Sequence, residues 1–159
     1  MIKKKIDHFL KWRYLSIFFL FILIDQVLKR ILTDRCPCVL GDIFRIIPTT
    51  NTGISFGLFQ NFAGSNALFS VIALVLVCVL VIIALREANS ELSRWGFVIL
   101  IAGAFGNIID RIFHGAVIDM IDIGFRSFRF ATFNPADVFI SIGTIIIIVS
   151  FFLFEKETQ

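Results

Sequence analysis

Apolar residues fall in four long blocks, Tyr14 to Leu32, Ala67 to Leu85, Trp95 to Ile112 and Val138 to Phe154, separated by stretches where polar residues, Gly and Pro gather. Each block approaches the ~20 residues that a helix needs to cross ~30 Å of hydrocarbon, so the pattern predicts four transmembrane helices. The second block is free of charge and the fourth is nearly all Ile, Val and Phe, whereas the first and third carry charged residues only toward their C-terminal ends.

Basic residues near the helix ends orient this arrangement. Lys3, Lys4, Lys5, Lys11 and Arg13 precede the first block, and Arg86 and Arg94 flank the second connection. Both groups belong on the cytoplasmic side, which puts both termini inside. The connections Thr33 to Asn66 and Phe113 to Ala136 then share the outer face. The first holds a β-like stretch, Ile43 to Ile47, followed by Pro48 and a Gly- and Asn-rich run to Gly57, and reads as a small sheet or hairpin. The second mixes Phe125, Phe128, Phe130 and Phe133 with Arg126 and Arg129, a composition suited to the headgroup level. The expected fold class is an all-α membrane protein: four transmembrane helices with a small extracytoplasmic β-rich segment between helices 1 and 2. No internal repeat divides the chain, so residues 1–159 form one domain.

Composition sharpens the class. At 159 residues, 58% hydrophobic and with 20 Phe, the chain owns more apolar surface than a soluble core of its size can hide. The net charge of +3 is spread over the membrane flanks and gives no basis for nucleic-acid binding. The first block follows a basic segment but is too long for a signal-peptide core, and no small-x-small site follows at Thr33 to Cys38, so it is expected to stay as a helix. Cys36 and Cys38 are too close in sequence for good disulfide geometry, no metal-ligand set surrounds them, and Cys78 reads as an inert small hydrophobe.

The unusual polar residues converge on the outer face. Asp25 and Lys29 have the spacing and order of a favourable helical ion pair. Gly103, Asn107, Asp110 and Arg111 recur at helical spacing, with Gly103 and Gly106 admitting close helix approach and Asn107 able to hydrogen-bond across it. Asp110 and Arg111 are adjacent, hence not facing each other, so at least one needs a partner elsewhere. Asn134-Pro135-Ala136-Asp137 reads as a helix start, with Asn as N-cap, Pro in the first position and an acid in the third. Alone, Asp137 is a capping carboxylate. With Asp119 or Asp122 from the neighbouring segment it becomes half of a pair that cannot easily ionise twice, and spacing does not choose between the two. Such a pair divides the labour of peptide hydrolysis: one member activates water and the other polarises the carbonyl. Gly53-Ile54-Ser55-Phe56-Gly57 matches the G-x-S-x-G pattern, with His114 on the same face. That pattern needs an elbow on a large α/β sheet for which the chain has no room, so Ser55 is expected to be structural.

The blocks Asp25-Gln26-Val27-Leu28-Lys29, Asn51-Thr52-Gly53-Ile54-Ser55-Phe56-Gly57, Gly103 to Arg111, Gly115-Ala116-Val117-Ile118-Asp119 and Phe133-Asn134-Pro135-Ala136-Asp137, in this order, resemble the bacterial lipoprotein signal peptidases (signal peptidase II), integral aspartic peptidases with four transmembrane helices. The resemblance implies a catalytic pair at Asp119 and Asp137. It implies too that Asn51, Gly53, Asn107, Asp110, Arg111 and Asn134 line or brace the site, with Asp25 and Lys29 in support. It further implies a monomer of the bacterial inner membrane that acts near the outer face without metal or cofactor. The substrate implied is a prolipoprotein whose future N-terminal Cys carries diacylglycerol and which is cut just before that Cys. Ile54 and Ser55 replace the small Ala residues common in the family, and Cys36-Pro37-Cys38 has no family role. The alternative class is a small transporter using intramembrane carboxylates, but such proteins place their sites at the midplane of repeated halves, a pattern this chain lacks.

Overall fold

The structure is a computed structural model that describes residues 6–7, 9, 11–34, 38–41, 43–54, 59, 62–125, 128–130 and 132–155. Its elements run α1 (Trp12–Thr33), β1 (Cys38–Leu40), β2 (Phe44–Asn51), α2 (Ser65–Glu87), α3 (Glu91–His114), β3 (Val117–Phe125), β4 (Phe128–Arg129) and α4 (Pro135–Glu155). Three of these helices, α2, α3 and α4 through Leu153, are long and apolar enough to cross a membrane. The fourth, α1, has 22 residues, which is about 33 Å of helix and a full bilayer core. It also carries Arg13, Asp25, Lys29 and Arg30, and so falls short of the apolarity of the other three.

Helix α3 is the hub of the bundle and packs against α1, α2 and α4. Its ends are set by local chemistry. Ser90 accepts from the Ser93 N–H at 2.9 Å while the Ser93 hydroxyl accepts from the Ser90 N–H at 3.1 Å, and Gly115, at φ 72°, turns the chain out of the helix. Small residues let α4 approach closely. A Cβ on Gly103 would lie 2.5 Å from the Ala136 carbonyl oxygen, and one on Gly143 would lie 2.6 Å from Leu100 N. The lipid-facing side chains of α2 remain exposed, as expected where lipid replaces water.

The strands form one antiparallel sheet in the order β1-β2-β3-β4. The expected β-rich segment between the first two helices is present as β1 and β2, and the sheet extends beyond it. The segment between α3 and α4 supplies β3, which pairs along β2 from Phe44↔Ile123 to Asn51↔Val117 with a register shift between Ile46 and Thr49. The physical reason is non-local: β2 is 8 residues long, and its exposed edge is satisfied by a strand some seventy residues downstream rather than by a local hairpin alone. Phe125, Phe128 and Phe130 are exposed.

Candidate active site

Asp119 and Asp137 arrive from different elements, and Asn134 bridges them. Asp119 lies on β3 opposite Thr49 of β2, is buried, and accepts from Asn51 at the end of β2 (Nδ2 to Oδ2, 3.2 Å) and from Asn134 (Nδ2 to Oδ1, 2.7 Å). Asp137 sits in the first turn of α4, which begins as the sequence predicts. The Asn134 side chain accepts from the Asp137 N–H at 3.0 Å, and the Asp137 carboxylate accepts in return from the Asn134 N–H at 3.2 Å. The other oxygen of Asp137 accepts from Asn107 Nδ2 at 2.9 Å, and Asn107 Oδ1 accepts from Asn134 Nδ2 at 3.1 Å. Three asparagines thus fix both carboxylates. Burial first, and the Asp137 carboxylate second, push Asp119 up to about 6, well above the ordinary carboxylate value.

Asp122 is held elsewhere. Three residues from Asp119 on the same strand, it points to the opposite side of the sheet. There Arg129 donates to it from Nε at 3.1 Å and from Nη2 at 2.9 Å. Its negative charge is committed to that pair.

Behind the asparagines lies a buried ionic cluster. Lys29 stands 2.9 Å from Asp25 and 2.6 Å from Asp110, and donates to Asn107 Oδ1 at 3.2 Å. The helical ion pair foreseen for Asp25 and Lys29 is present, and Asp110 finds its partner on α1. Arg111, its neighbour, turns the other way and donates to the carbonyls of Gly53 (2.5 Å) and Thr52 (3.4 Å). In that loop Asn51 Oδ1 accepts from the Gly53 N–H at 2.9 Å, which tightens the turn that presents Asn51 to Asp119. Gly106 makes room for the cluster: a Cβ there would lie 2.5 Å from Asp25 Oδ2.

Every site residue expected from the sequence, Asp25, Lys29, Asn51, Gly53, Asn107, Asp110, Arg111, Asp119, Asn134 and Asp137, therefore belongs to one connected network at one end of the bundle. Gln26 was not foreseen as a participant. Its amide donates to Asp25 Oδ2 (3.1 Å), Asp110 Oδ1 (3.0 Å) and the Gly106 carbonyl (3.3 Å). A glutamine in an apolar block between two charged positions was the signal available. Thr49, whose hydroxyl donates to the Asp119 carbonyl at 3.3 Å, gave no such signal. His114 is exposed at the end of α3. Ser55, Cys36 and Arg126 lie outside the described residues.

At the opposite end a second polar cluster ties α1 to α3. The buried Tyr14 hydroxyl donates to Glu91 at 2.5 Å, Arg13 pairs with the same carboxylate, and the Tyr14 ring packs on Trp95 at 4.5 Å between centroids.

Comparison with known proteins gives consistent results. A family model described as signal peptidase (SPase) II matches residues 17–153. The lipoprotein signal peptidase of Rickettsia akari (strain Hartford) is 38% identical over 143 residues, covering 86% of this chain and 72% of that protein. That of Tolumonas auensis is 34% identical over 151 residues, covering 91% of each. Among solved structures, a bacterial membrane enzyme superposes with a TM-score of 0.77 at 26% identity, over 92% of both chains.

Proposed function

Since the chain belongs to the signal peptidase II family, we propose that it is a membrane aspartic endopeptidase that removes the signal peptide from diacylglyceryl-modified prolipoproteins by cutting just before the lipidated Cys. The observation that carries this reading is the convergence of Asp119 and Asp137 on Asn134, from a strand and a helix start.

In the proposed reaction the reactive form carries one proton on the pair; Asp119, raised toward neutrality, bears it and donates a hydrogen bond to the scissile carbonyl. Asp137 takes a proton from water as the water oxygen attacks the carbonyl carbon. The resulting tetrahedral intermediate collapses, the C–N bond breaks, and the amine of the lipidated Cys leaves with the proton taken from water. Asn51, Asn107 and Asn134 hold the carboxylates in place, so little reorganisation accompanies the reaction.

The proposed setting is the bacterial inner membrane. Helix α1 serves as the fourth span, because Asp25 and Lys29 neutralise one another and Arg13 and Arg30 lie near its two ends. Both termini are then cytoplasmic, the dyad sits near the outer face, and a single monomeric domain of residues 1–159 acts without metal or cofactor. The acyl chains of the substrate supply the local concentration. Each buried CH₂ contributes about 0.8 kcal/mol to anchoring, which holds the scissile bond at the height of the aspartates. The exposed rings of Phe125, Phe128 and Phe130 border the membrane there.

The test compares kcat/KM of the purified protein in detergent for lipidated and unlipidated versions of one precursor. Much faster cleavage of the lipidated form is expected. Equal values would reduce the function to that of a membrane peptidase that does not read the lipid.

A further inference from the structure

Lys29 touches neither carboxylate of the dyad, yet the backbone beside each of them is tied back to it. The Lys29 ammonium is 2% exposed and lies between Asp25 and Asp110, each 0% exposed. Asp25, on α1, accepts through Oδ1 from the Ala136 N–H at 2.9 Å, and Ala136 immediately precedes Asp137. Asp110, on α3, accepts through Oδ2 from the Ile118 N–H at 3.2 Å, and Ile118 immediately precedes Asp119. Gln26 closes the cluster by donating to both carboxylates. From Lys29, one arm therefore runs through Asp25 to the start of α4, and another runs through Asp110 to the start of β3. A third contact, through Asn107, reaches the Asp137 carboxylate itself.

We propose that Lys29 is a positioning residue, a strut that fixes the separation of Asp119 and Asp137 by holding, through Asp25 and Asp110, the backbone N–H that precedes each of them. The proposal rests on the dyad reading given above. Neutralising α1 would need only one carboxylate for the one ammonium, at the spacing Asp25 already provides. The second carboxylate is more than that pairing requires, in a place where burying charge is costly and apolar replacements are commonly as stable. What Asp110 adds is the hold on the strand that carries Asp119.

The experiment measures kcat and KM separately, on a diacylglyceryl-modified prolipoprotein in detergent, for Lys29→Met and for the triple variant Asp25→Asn/Lys29→Met/Asp110→Asn. Lys29→Met leaves two buried carboxylates without their cation and so tests folding as well as position. The triple variant removes all three ionisable groups while both new amides keep an oxygen for the Ala136 and Ile118 N–H groups. A displacement of the dyad by about 1 Å predicts a fall in kcat on the order of 100-fold with KM nearly unchanged, in the folded triple variant as in Lys29→Met. Wild-type kcat in the folded triple variant would overturn the proposal, because the cluster would then serve only to neutralise itself. A rise in KM at unchanged kcat, or a triple variant unable to fold, would overturn it too. Asp119→Asn and Asp137→Asn are assayed alongside. Activity in either one removes the dyad reading and the strut with it, whereas two inactive dyad variants beside a fast triple variant remove the strut alone.

Discussion

Asp119 is held in an environment that favours its protonated form, and this has a consequence for stability apart from catalysis. Its folded-state value of about 6 lies above the ordinary 3.8, so the ionised group works against folding. The stability it contributes is fully present below about pH 4 and is lost as pH rises through the folded-state value. Asp119→Asn removes that cost. At pH 7 the variant is expected to unfold at a higher temperature than wild type, by the equivalent of roughly 1–2 kcal/mol. The gain is smaller than the full shift implies, because the new amide turns an NH₂ toward one of its donors, Asn51 or Asn134. Thermal unfolding in detergent at pH 7 checks this, and a less stable variant would contradict it. Asp122 predicts the reverse pattern. Its partner Arg129 is lost in Asp122→Asn, so stability falls by about 1 kcal/mol while turnover stays within a few-fold of wild type. At this scale the sequence was informative where chemistry is local. The N-cap at Asn134 and the ion pair of Asp25 with Lys29 follow from spacings of three and four residues. That Asp119 rather than Asp122 meets Asn134 depends on which side of a strand each faces, and no spacing rule supplies that before the strand itself is known.

Among the elements, β3 was the least legible. Its sequence, Val117 to Phe125, places acids at positions 119 and 122, three apart, which masks the two-residue alternation by which a strand is recognised. Both of its sides are also buried for part of its length, since one side meets Asn134 and the other the Arg129 pair. Its partner β2 was foreseen over Ile43 to Ile47, but the pairing that makes a sheet of them spans the whole of α2 and α3 in sequence. The helices were legible because each is specified by its own run of side chains. Their packing was legible only where small residues mark it. Gly106→Ala tests that packing at the site: the added Cβ meets the Asp25 carboxylate rather than a flexible side-chain end. We expect a stability loss of about 1–3 kcal/mol together with reduced turnover, because Asp25 also holds the Ala136 N–H. Measured stability and activity close to wild type would show that α1 and α3 can separate without disturbing the dyad.

For the whole molecule, polar clusters tie α1 to α3 at both ends of the bundle: Arg13 and Tyr14 with Glu91 at one end, and Lys29 with Asp110 at the other. A helix with this many charges is retained in an apolar bundle because Arg13, Tyr14, Gln26 and Lys29 are paired across to α3, while Arg30 pairs with Asp34 at the helix end. On the proposed topology the basic flanks decide which end faces the cytoplasm. Single cysteines placed at Ile43 and Phe128, in a background lacking Cys36, Cys38 and Cys78, are expected to react with impermeant reagents from outside. A cysteine at Glu87 should react only after the membrane is opened. Reversed labelling would put the dyad on the cytoplasmic side and rule out processing of exported precursors. The measurement that bears most directly on the proposed chemistry is cleavage of a diacylglyceryl-modified prolipoprotein by wild type, Asp119→Asn and Asp137→Asn at equal folded amounts. Wild type should release the signal peptide, and each variant should be slower by several orders of magnitude, as expected when one member of an acid and base pair is removed. Near-normal turnover by either variant would contradict the assignment of Asp119 and Asp137 as the catalytic pair.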